Sequence, residues 1–424
     1  MSRRGNHGRA AATSAWVVAL AFASLPVQAA PVPFAEAPSP GVATFANARM
    51  GVRTILVHGD TVYVGGNFRV TQGDVTRSNL AAFDLTGNLK PAFDASPSGT
   101  VNALATDGKS LFVGGEFSRL DLKKRLASVD LVTGKVNRRF RAHVSGAADT
   151  ESQTGVRALA VMTDASVTPP VSRLIVGGNF TRVNSVVPNR DALAALDPDS
   201  GDLDEAAFTE GVQNGVVETL LATAEALYVG GSFTRIQSRS ASLAAVGPRG
   251  ALLSGSFGGG QPVLDLDLDP VGNRLFAGVG GGGNRVAAYV ASGPDRGRRL
   301  WSGPQTGGDV QAVRFLGGNV YFGFHDGLFT EPDAHKLAVI DAATGAFEVD
   351  ADHPGTTCAN AVDLLPNCWL PTLDNTNGQG FLGVWSIAAV TDPATGKSSL
   401  VVGGEFTQIG GVARTRRLAV FVEP

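Results

Sequence analysis

The sequence predicts an all-β protein assembled from seven copies of a four-stranded antiparallel unit. Three observations carry this prediction. A glycine motif returns seven times, the same two apolar segments flank it, and no helical periodicity lies between the copies. The 424 residues include 54 glycines and 22 prolines, which suits frequent turns. Charged residues make up only 17%, which excludes coiled coils, long solvated helices and extensive disorder.

The glycine motif is Gly-Gly-x-Phe in five copies and is degenerate in the other two, which begin at Gly278 and Gly323. An apolar segment such as 101–104 precedes each motif, and a segment such as Leu126–Asp130 follows it. A Thr/Ser-Gly turn and a phenylalanine come next, which completes four short strands per copy. The first glycines of the seven copies are Gly65, Gly114, Gly177, Gly230, Gly278, Gly323 and Gly403.

Four strands in a unit of about 45–50 residues are typical of a β-propeller blade. One small sheet cannot bury both of its faces alone, whereas radial packing buries both. We therefore expect a seven-bladed β-propeller with four antiparallel strands per blade. The last copy ends on a third strand, at 418–424. Residues 42–48, around Phe45, are expected to supply its fourth strand, so that an N-terminal strand closes the ring.

The N-terminus has the pattern of a secretory signal peptide. Arg3, Arg4 and Arg9 precede an apolar run, 10–25, and small residues around Ala29 suit cleavage. The run is shorter than the roughly 20 residues of a membrane-spanning helix. We therefore expect the protein to be secreted or periplasmic, with no membrane span after cleavage.

The chain divides into three predicted parts. These are a signal peptide, 1–29, a Pro-rich leader, 30–41, and the propeller, 42–424, with a cysteine-containing insertion at about 350–381. The net charge of −3 gives no basic excess, so nucleic acid is not an expected partner. We expect a monomer.

The Gly-Gly-x-Phe motif, the downstream Leu-Ala-x-x-Asp and the Thr/Ser-Gly turn resemble the propeller repeats of secreted bacterial proteins called delta-sixty repeats. The resemblance covers about residues 42–424, and a looser similarity to kelch blades rests on the glycine pair. It implies a propeller and export, and it implies no established reaction. The fifth and sixth copies depart from the pattern.

Cys358 and Cys368 are the only cysteines of the chain. A pair ten residues apart in an exported protein favours a disulfide that closes the insertion, with two free thiols as the alternative. The spacing suits no zinc site, which needs four ligands.

Asp265, Asp267 and Asp269 alternate with leucines, so a strand would carry all three carboxylates on one face. Other copies have alanines at the corresponding positions, which are expected to be buried between blades. Carboxylates at buried positions need partners. A structural ion pair is the favoured interpretation, and a Ca²⁺ site is the alternative. In register, Asp267 of the fifth copy corresponds to Arg314 of the sixth, which predicts an ion pair between neighbouring blades. Arg157 and Glu218 repeat that relation.

The fifth and sixth copies also offer the candidate binding residues, because local rules tend to fail at functional sites. His325 and Asp326 replace the last two motif residues, and Asn284 follows a run of glycines. We include Asp267 and Arg314 in this candidate site. The sequence identifies no catalytic residue and no cofactor apart from the Ca²⁺ alternative.

Arginines recur ahead of the third strand of several copies, where they are expected to decorate one rim of the ring or to form an acidic-ligand surface. They are Arg77, Arg125, Arg190, Arg239 and Arg414. The function we expect is non-catalytic binding of a protein or glycan ligand. An exported hydrolase or lyase with its site at blades five and six, and a purely structural extracellular module, are the alternatives.

Overall fold

The computed structural model describes ten stretches of the chain, and none of them contains a helix, so the predicted all-β fold is confirmed. No segment that could cross a membrane as a helix is found among the described residues. The signal peptide, the segment around Phe45 and both cysteines lie outside the described part. The described residues are 35–36, 51–146, 154–184, 191–326, 336–347, 373–374, 383–391, 396–406, 408–409 and 417–422.

Seven antiparallel sheets, numbered here in chain order, each contain one copy of the repeat, with the glycine-bearing second strand between the first and third strands. Sheet 1 contains Val52–His58, Thr61–Gln72 and Val75–Asp84; sheet 2 contains Val101–Thr106, Ser110–Gly115 and Leu126–Asp130; sheet 3 contains Gly155–Asp164, Val171–Asn179 and Leu193–Leu196; sheet 4 contains Val217–Ala222, Leu227–Gly231 and Leu243–Val246. Sheet 5 contains Val263–Asp269, Arg274–Val279, Arg285–Val290 and Arg299–Gln305; sheet 6 contains Val310–Leu316, Asn319–Phe324 and Leu337–Asp341; sheet 7 contains Gly383–Thr391, Ser398–Glu405, Leu418–Val422 and Ala35–Glu36.

Short strands outside these sheets pair in three further groups. They are Val144–Ser145 with Arg182–Val183; Val212–Gln213 with Arg235–Ile236 and Arg239–Ser240; and Leu373–Asp374 with Gln408–Ile409.

Within the described part of the chain, the predicted fourth strand is present in sheets 5 and 7 only. In sheet 1 it is reduced to one bridge, Phe83 with Leu89, and a hydrogen bond from the Lys90 N–H to the Ala82 carbonyl. Sheets 2, 3 and 4 have the same single bridge. The chain leaves the ladder there because the aspartate and glycine that recur in the repeat form a tight turn: Asp84 Oδ1 accepts the backbone N–H groups of Thr86 and Asn88.

The fourth strand of sheet 7 comes from the N-terminal part of the chain. Ala35 pairs with Val422 and Glu36 pairs with Phe421 in antiparallel register. These residues precede the segment 42–48, which was predicted for this role and lies outside the described residues. Ala35–Glu36 belongs to the stretch that the sequence assigned to the Pro-rich leader.

The first strands of the seven sheets contact one another in cyclic order, since the first strand of sheet 7 also contacts that of sheet 1. Seven hydrophobic cores match this order, one for each pair of neighbouring sheets. Neighbouring residues of one strand therefore serve different cores: Val64 packs towards sheet 7, and Tyr63 packs towards sheet 2. This explains why the strands are apolar on both faces.

The first glycine of each motif lies against the first valine of the following sheet. A Cβ at Gly65 would lie 2.6 Å from Val101 Cγ1, and one at Gly177 would lie 2.5 Å from Val217 Cγ1, so no larger residue fits without displacement. The same pairing continues through all seven sheets and returns to the first. The pairs are Gly65–Val101, Gly114–Val156, Gly177–Val217, Gly230–Val263, Gly278–Val310, Gly323–Val384 and Gly403–Val52.

Candidate functional site

Each first strand contains a β-bulge directly after its first valine. In sheet 1, Val52 pairs with Gly66 and Thr54 pairs with Gly65, which leaves Arg53 without a partner in the ladder. A bulge re-aims the extra residue away from the ladder. The seven equivalent residues, called here the bulge ring, are Arg53, Asn102, Arg157, Glu218, Leu264, Gln311 and Trp385.

All seven members of the bulge ring line one cavity of about 200 Å³. Its remaining lining residues also come from the seven first strands, including Thr54 of sheet 1 and Arg314 of sheet 6. The cavity therefore lies where the first strands meet. Six of the seven bulge residues are polar or carry a polar ring nitrogen, although the strands around them are largely apolar.

Charged groups from neighbouring sheets meet in the bulge ring. Arg157 lies between two carboxylates, with Nη1 3.7 Å from Glu218 Oε2 and Nη2 3.8 Å from Glu116 Oε1. Burial raises the pKa of Glu218, while Arg157 opposes this shift. The predicted relation between Arg157 and Glu218 is thus present, and Glu116, the variable residue of the Gly-Gly-x-Phe motif in sheet 2, completes the cluster.

Arg53 and Trp385 are two further members of the bulge ring, and their side chains contact each other. The guanidinium carbon of Arg53 lies 4.7 Å from the centroid of the Trp385 ring, within the range of a cation–π contact. His325 contacts the same indole, with ring centroids 6.1 Å apart. Burial lowers the pKa of Arg53. It also raises the pKa of Glu405 to about 7, against the influence of Arg417 and Arg53.

Three buried donors of the bulge ring have no hydrogen-bond partner among the described residues. They are Arg53 Nε, Arg157 Nε and Trp385 Nε1. A buried donor without an acceptor costs free energy, and an acceptor supplied from outside the chain would remove that cost. The ring can therefore bind a group that presents carbonyl or carboxylate oxygens.

The structure brings His325, Asp326 and Asn284 of the predicted site into one hydrogen-bonded patch, which is separate from Asp267 and Arg314. His325 Nδ1 lies 2.6 Å from Asp326 Oδ2, and the Asp309 N–H donates to His325 Nε2 at 3.2 Å. Asp309 in turn accepts the Gly281 N–H at 2.7 Å. Because Nε2 accepts this bond, the proton of the neutral ring lies on Nδ1, where it is donated to Asp326.

Asn284 holds the backbone of that patch. Its Oδ1 accepts the Gly282 N–H at 3.1 Å, and its Nδ2 donates to the Gly307 carbonyl at 3.2 Å. Both hydrogen bonds fix loops, so the contacts of Asn284 are those of a structural residue.

Asp267 and Arg314 form the predicted ion pair between neighbouring sheets. Asp267 Oδ1 lies 3.1 Å from Arg314 Nη1, and Arg314 Nε donates to the Ile387 carbonyl at 3.0 Å. Asp267 Oδ2 also accepts the Phe315 N–H at 2.6 Å. The pair therefore ties together sheets 5, 6 and 7 beside the cavity.

The other two aspartates of the strand have separate partners. Asp265 Oδ2 accepts the Val313 N–H at 2.9 Å, and burial raises the pKa of Asp265 to about 6. Asp269 stays within sheet 5, where Arg274 donates to its Oδ2 through both Nε and Nη2. These contacts favour the ion-pair interpretation over a shared Ca²⁺ site, which stays a prediction.

The three recurring arginines that the structure describes hold connections between sheets. Arg77 is buried, and it donates to the carbonyls of Phe93 and Pro91 in the connection to sheet 2. Arg125 and Arg239 likewise donate to backbone carbonyls of connections between sheets. These contacts favour a structural role for the three arginines, while the acidic-ligand surface stays a prediction. The other two arginines lie outside the described residues.

Of the bulge ring, only Arg157 and Glu218 were predicted from the sequence. A signal for most of the ring exists in the sequence, since the residue after the first valine is Arg, Asn, Glu or Gln in five of the seven copies. A reading of these strands as regular two-residue alternation misses this signal, because a bulge shifts the register by one residue.

No protein-family model matches the chain, and no curated protein matches it. Solved structures do match. U3-55K is 13% identical with a TM-score of 0.50, covering 92% of this chain and 100% of that one. The designed Ika8 protein is 13% identical with a TM-score of 0.48, covering 91% and 100%. The WD40 beta propeller domain of Doa1 is 9% identical with a TM-score of 0.47, covering 91% and 97%. At these identities the likeness concerns the fold alone.

Proposed function

We propose that the chain is an exported seven-bladed β-propeller that binds a protein ligand, without catalysis, at the mouth formed by the bulge ring. The cyclic contacts of the first strands, the seven cores and the seven glycine–valine pairs support the propeller. Sheets 1 to 7 would be its blades, and Ala35–Glu36 would close the ring at blade seven. The proposal of secretion or periplasmic export rests on the N-terminal sequence pattern, and the monomeric state is an expectation.

The observation that carries the binding proposal is the set of three buried donors with no acceptor among the described residues. They belong to three residues that line the same cavity, and backbone carbonyls or carboxylates of an inserted protein loop would complete them once these side chains turn towards it. Trp385 is unsuited to stacking on a sugar, because Arg53 lies over its ring and His325 packs against it. A protein loop therefore suits the mouth better than a glycan does.

A hydrolase or lyase at sheets 5 and 6 has weaker support. A general base needs a free ring nitrogen, and His325 Nε2 already accepts the Asp309 N–H. The carboxylates of Asp265 and Asp267 are engaged by backbone N–H groups of sheet 6. These contacts suit a structural role.

The test is selection of peptides from a random phage library on the immobilised protein, followed by affinity measurement on synthetic peptides. We expect Trp385→Phe, which keeps the ring and removes the N–H, and Arg157→Leu to weaken the selected peptides at least tenfold. Arg298→Leu is the control, because Arg298 is an exposed residue paired with Asp295 away from the mouth. Peptides that bind all variants equally, or glycans that bind in their place, would refute the proposal.

A further inference from the structure

The phenylalanine of the repeat motif fills the space between neighbouring sheets in all five regular copies. Phe233 of sheet 4 is 2% exposed and packs with Leu193, Phe208 and Val217 between sheets 3 and 4. The corresponding residue of sheet 5 is Gly281, so sheet 5 has no motif phenylalanine to place between itself and sheet 4. The five buried phenylalanines are Phe68, Phe117, Phe180, Phe233 and Phe406.

A cavity of about 400 Å³ lies at the equivalent place between sheets 4 and 5. Its lining includes Leu243, Phe257 and Val263, which correspond to the residues that surround Phe233 one sheet earlier. The volume lies within the range of about 300–1,000 Å³ that small-molecule sites occupy. The cavity thus lies close to the position where the repeat normally buries a benzyl group, although the space directly beside Gly281 is taken by Pro262.

The walls of this cavity combine aromatic and cationic groups. Phe257 and Tyr289 form an edge-to-face pair with centroids 5.6 Å apart. Arg285 and Arg299 also line the cavity, and none of the lining residues is an aspartate or a glutamate.

Neither guanidinium has a carboxylate partner among the described residues. Arg285 Nε donates to the Gly283 carbonyl at 2.7 Å, and Arg299 lies opposite Tyr289 in the ladder of sheet 5. Two guanidinium groups beside an apolar aromatic wall suit a ligand that has both a ring and an anion.

We propose that this cavity binds a small aromatic anion. Its ring would lie beside Phe257 and Tyr289, and its carboxylate would lie on Arg299, which is opposite Tyr289 in the ladder, while Arg285 would add positive charge at the other end of the same strand. The site is separate from the bulge ring and does not depend on the function proposed for it.

The experiment measures the binding of 3-phenylpropionate to the full chain by titration calorimetry. We expect saturable binding at one site, at least tenfold weaker binding of the neutral alcohol 3-phenylpropanol, and no binding of propionate. Equal affinity for the acid and the alcohol would overturn the role of the arginines.

Two variants place the ligand in this cavity. Arg299→Met should weaken 3-phenylpropionate at least tenfold, whereas Arg298→Met, one residue earlier and exposed, should leave the affinity unchanged. Ser302→Phe, on the strand that lines the cavity, should abolish binding by filling it, with the melting temperature as the check on folding. Unchanged binding in Arg299→Met or in a folded Ser302→Phe protein would overturn the proposal.

Tighter binding of N-acetyl-phenylalanine amide than of 3-phenylpropionate would assign the cavity to a protein side chain instead.

Discussion

Asp267 and Arg314 offer a measurable coupling between neighbouring sheets. Both side chains are partly buried, with exposed fractions of 13% and 28%, and Asp267 also accepts the Phe315 N–H. We expect Asp267→Ala and Arg314→Ala each to cost about 2–3 kcal/mol, because each leaves a poorly solvated charge. The double variant should cost clearly less than their sum.

The matched control is the exposed pair Asp295 and Arg298, 3.4 Å apart. Its coupling should stay below about 0.5 kcal/mol, because exposed pairs contribute little. Chemical denaturation of the single and double variants measures both cycles, and an additive cycle for Asp267 and Arg314 would show that their contact does not stabilise the fold.

Asp265 should make stability depend on pH. Burial raises its pKa from 3.8 to about 6, so the folded state holds its proton more tightly than the unfolded chain does. The contribution of this group is fully present below the unfolded pKa and is lost as the pH rises through 6. Asp265→Asn removes the titration, so the stability of the variant relative to the parent should rise between pH 4 and 7, by up to about 3 kcal/mol.

Asp130 provides a control of opposite sign. The hydrogen bond from Thr133 lowers its pKa, so its contribution is present above the unfolded pKa and is lost as the pH falls through the folded pKa. The loss caused by Asp130→Asn should therefore shrink towards low pH. Unfolding curves at several pH values measure both variants, and parallel pH profiles of Asp265→Asn and the parent would contradict the assignment for Asp265.

Each copy of the repeat packs its first motif glycine against the first valine of the following sheet. At Gly177 a methyl group would lie 2.5 Å from Val217 Cγ1, so Gly177→Ala should force neighbouring strands apart and cost about 1–3 kcal/mol. Gly247→Ala is the control, since its nearest contact would be an ordinary 3.7 Å to Leu253 Cδ2. Thermal unfolding compares the two, and equal losses would show that the close approach is unimportant.

The repeat made the sheets predictable from the sequence, because every copy shows the same apolar segments around its glycine pair. The sequence predicted a fourth strand in every copy, whereas sheets 1 to 4 have only a single bridge at that position. A phenylalanine marks its position, as at Phe93, but the ladder there ends after a single bridge. The bulge ring was largely missed, because a bulge depends on how the backbone passes the glycine pair. The sequence shows the loss of the phenylalanine at Gly281, but the cavity also depends on where Leu243 and Phe257 lie.

Closure of the ring is the property that belongs to the whole chain. Ala35–Glu36 pairs with the third strand of sheet 7, and without it that strand, Leu418–Val422, becomes an unpaired edge. Deletion of residues 31–48 removes this strand together with the segment around Phe45. We expect a loss of about 1–2 kcal/mol, because roughly two ladder hydrogen bonds at about 1 kcal/mol each disappear.

Deletion of residues 1–29 is the control for closure, because it removes the predicted signal peptide and leaves Ala35–Glu36 in place. Denaturant unfolding should show a lower midpoint for the longer deletion alone, and an unpaired edge should also increase self-association in sedimentation experiments. If the two deletions unfold at the same midpoint, the N-terminal strand does not stabilise sheet 7. In that case the seven sheets are held by the cores and the glycine–valine contacts alone, which Gly403 and Val52 continue from the last sheet to the first.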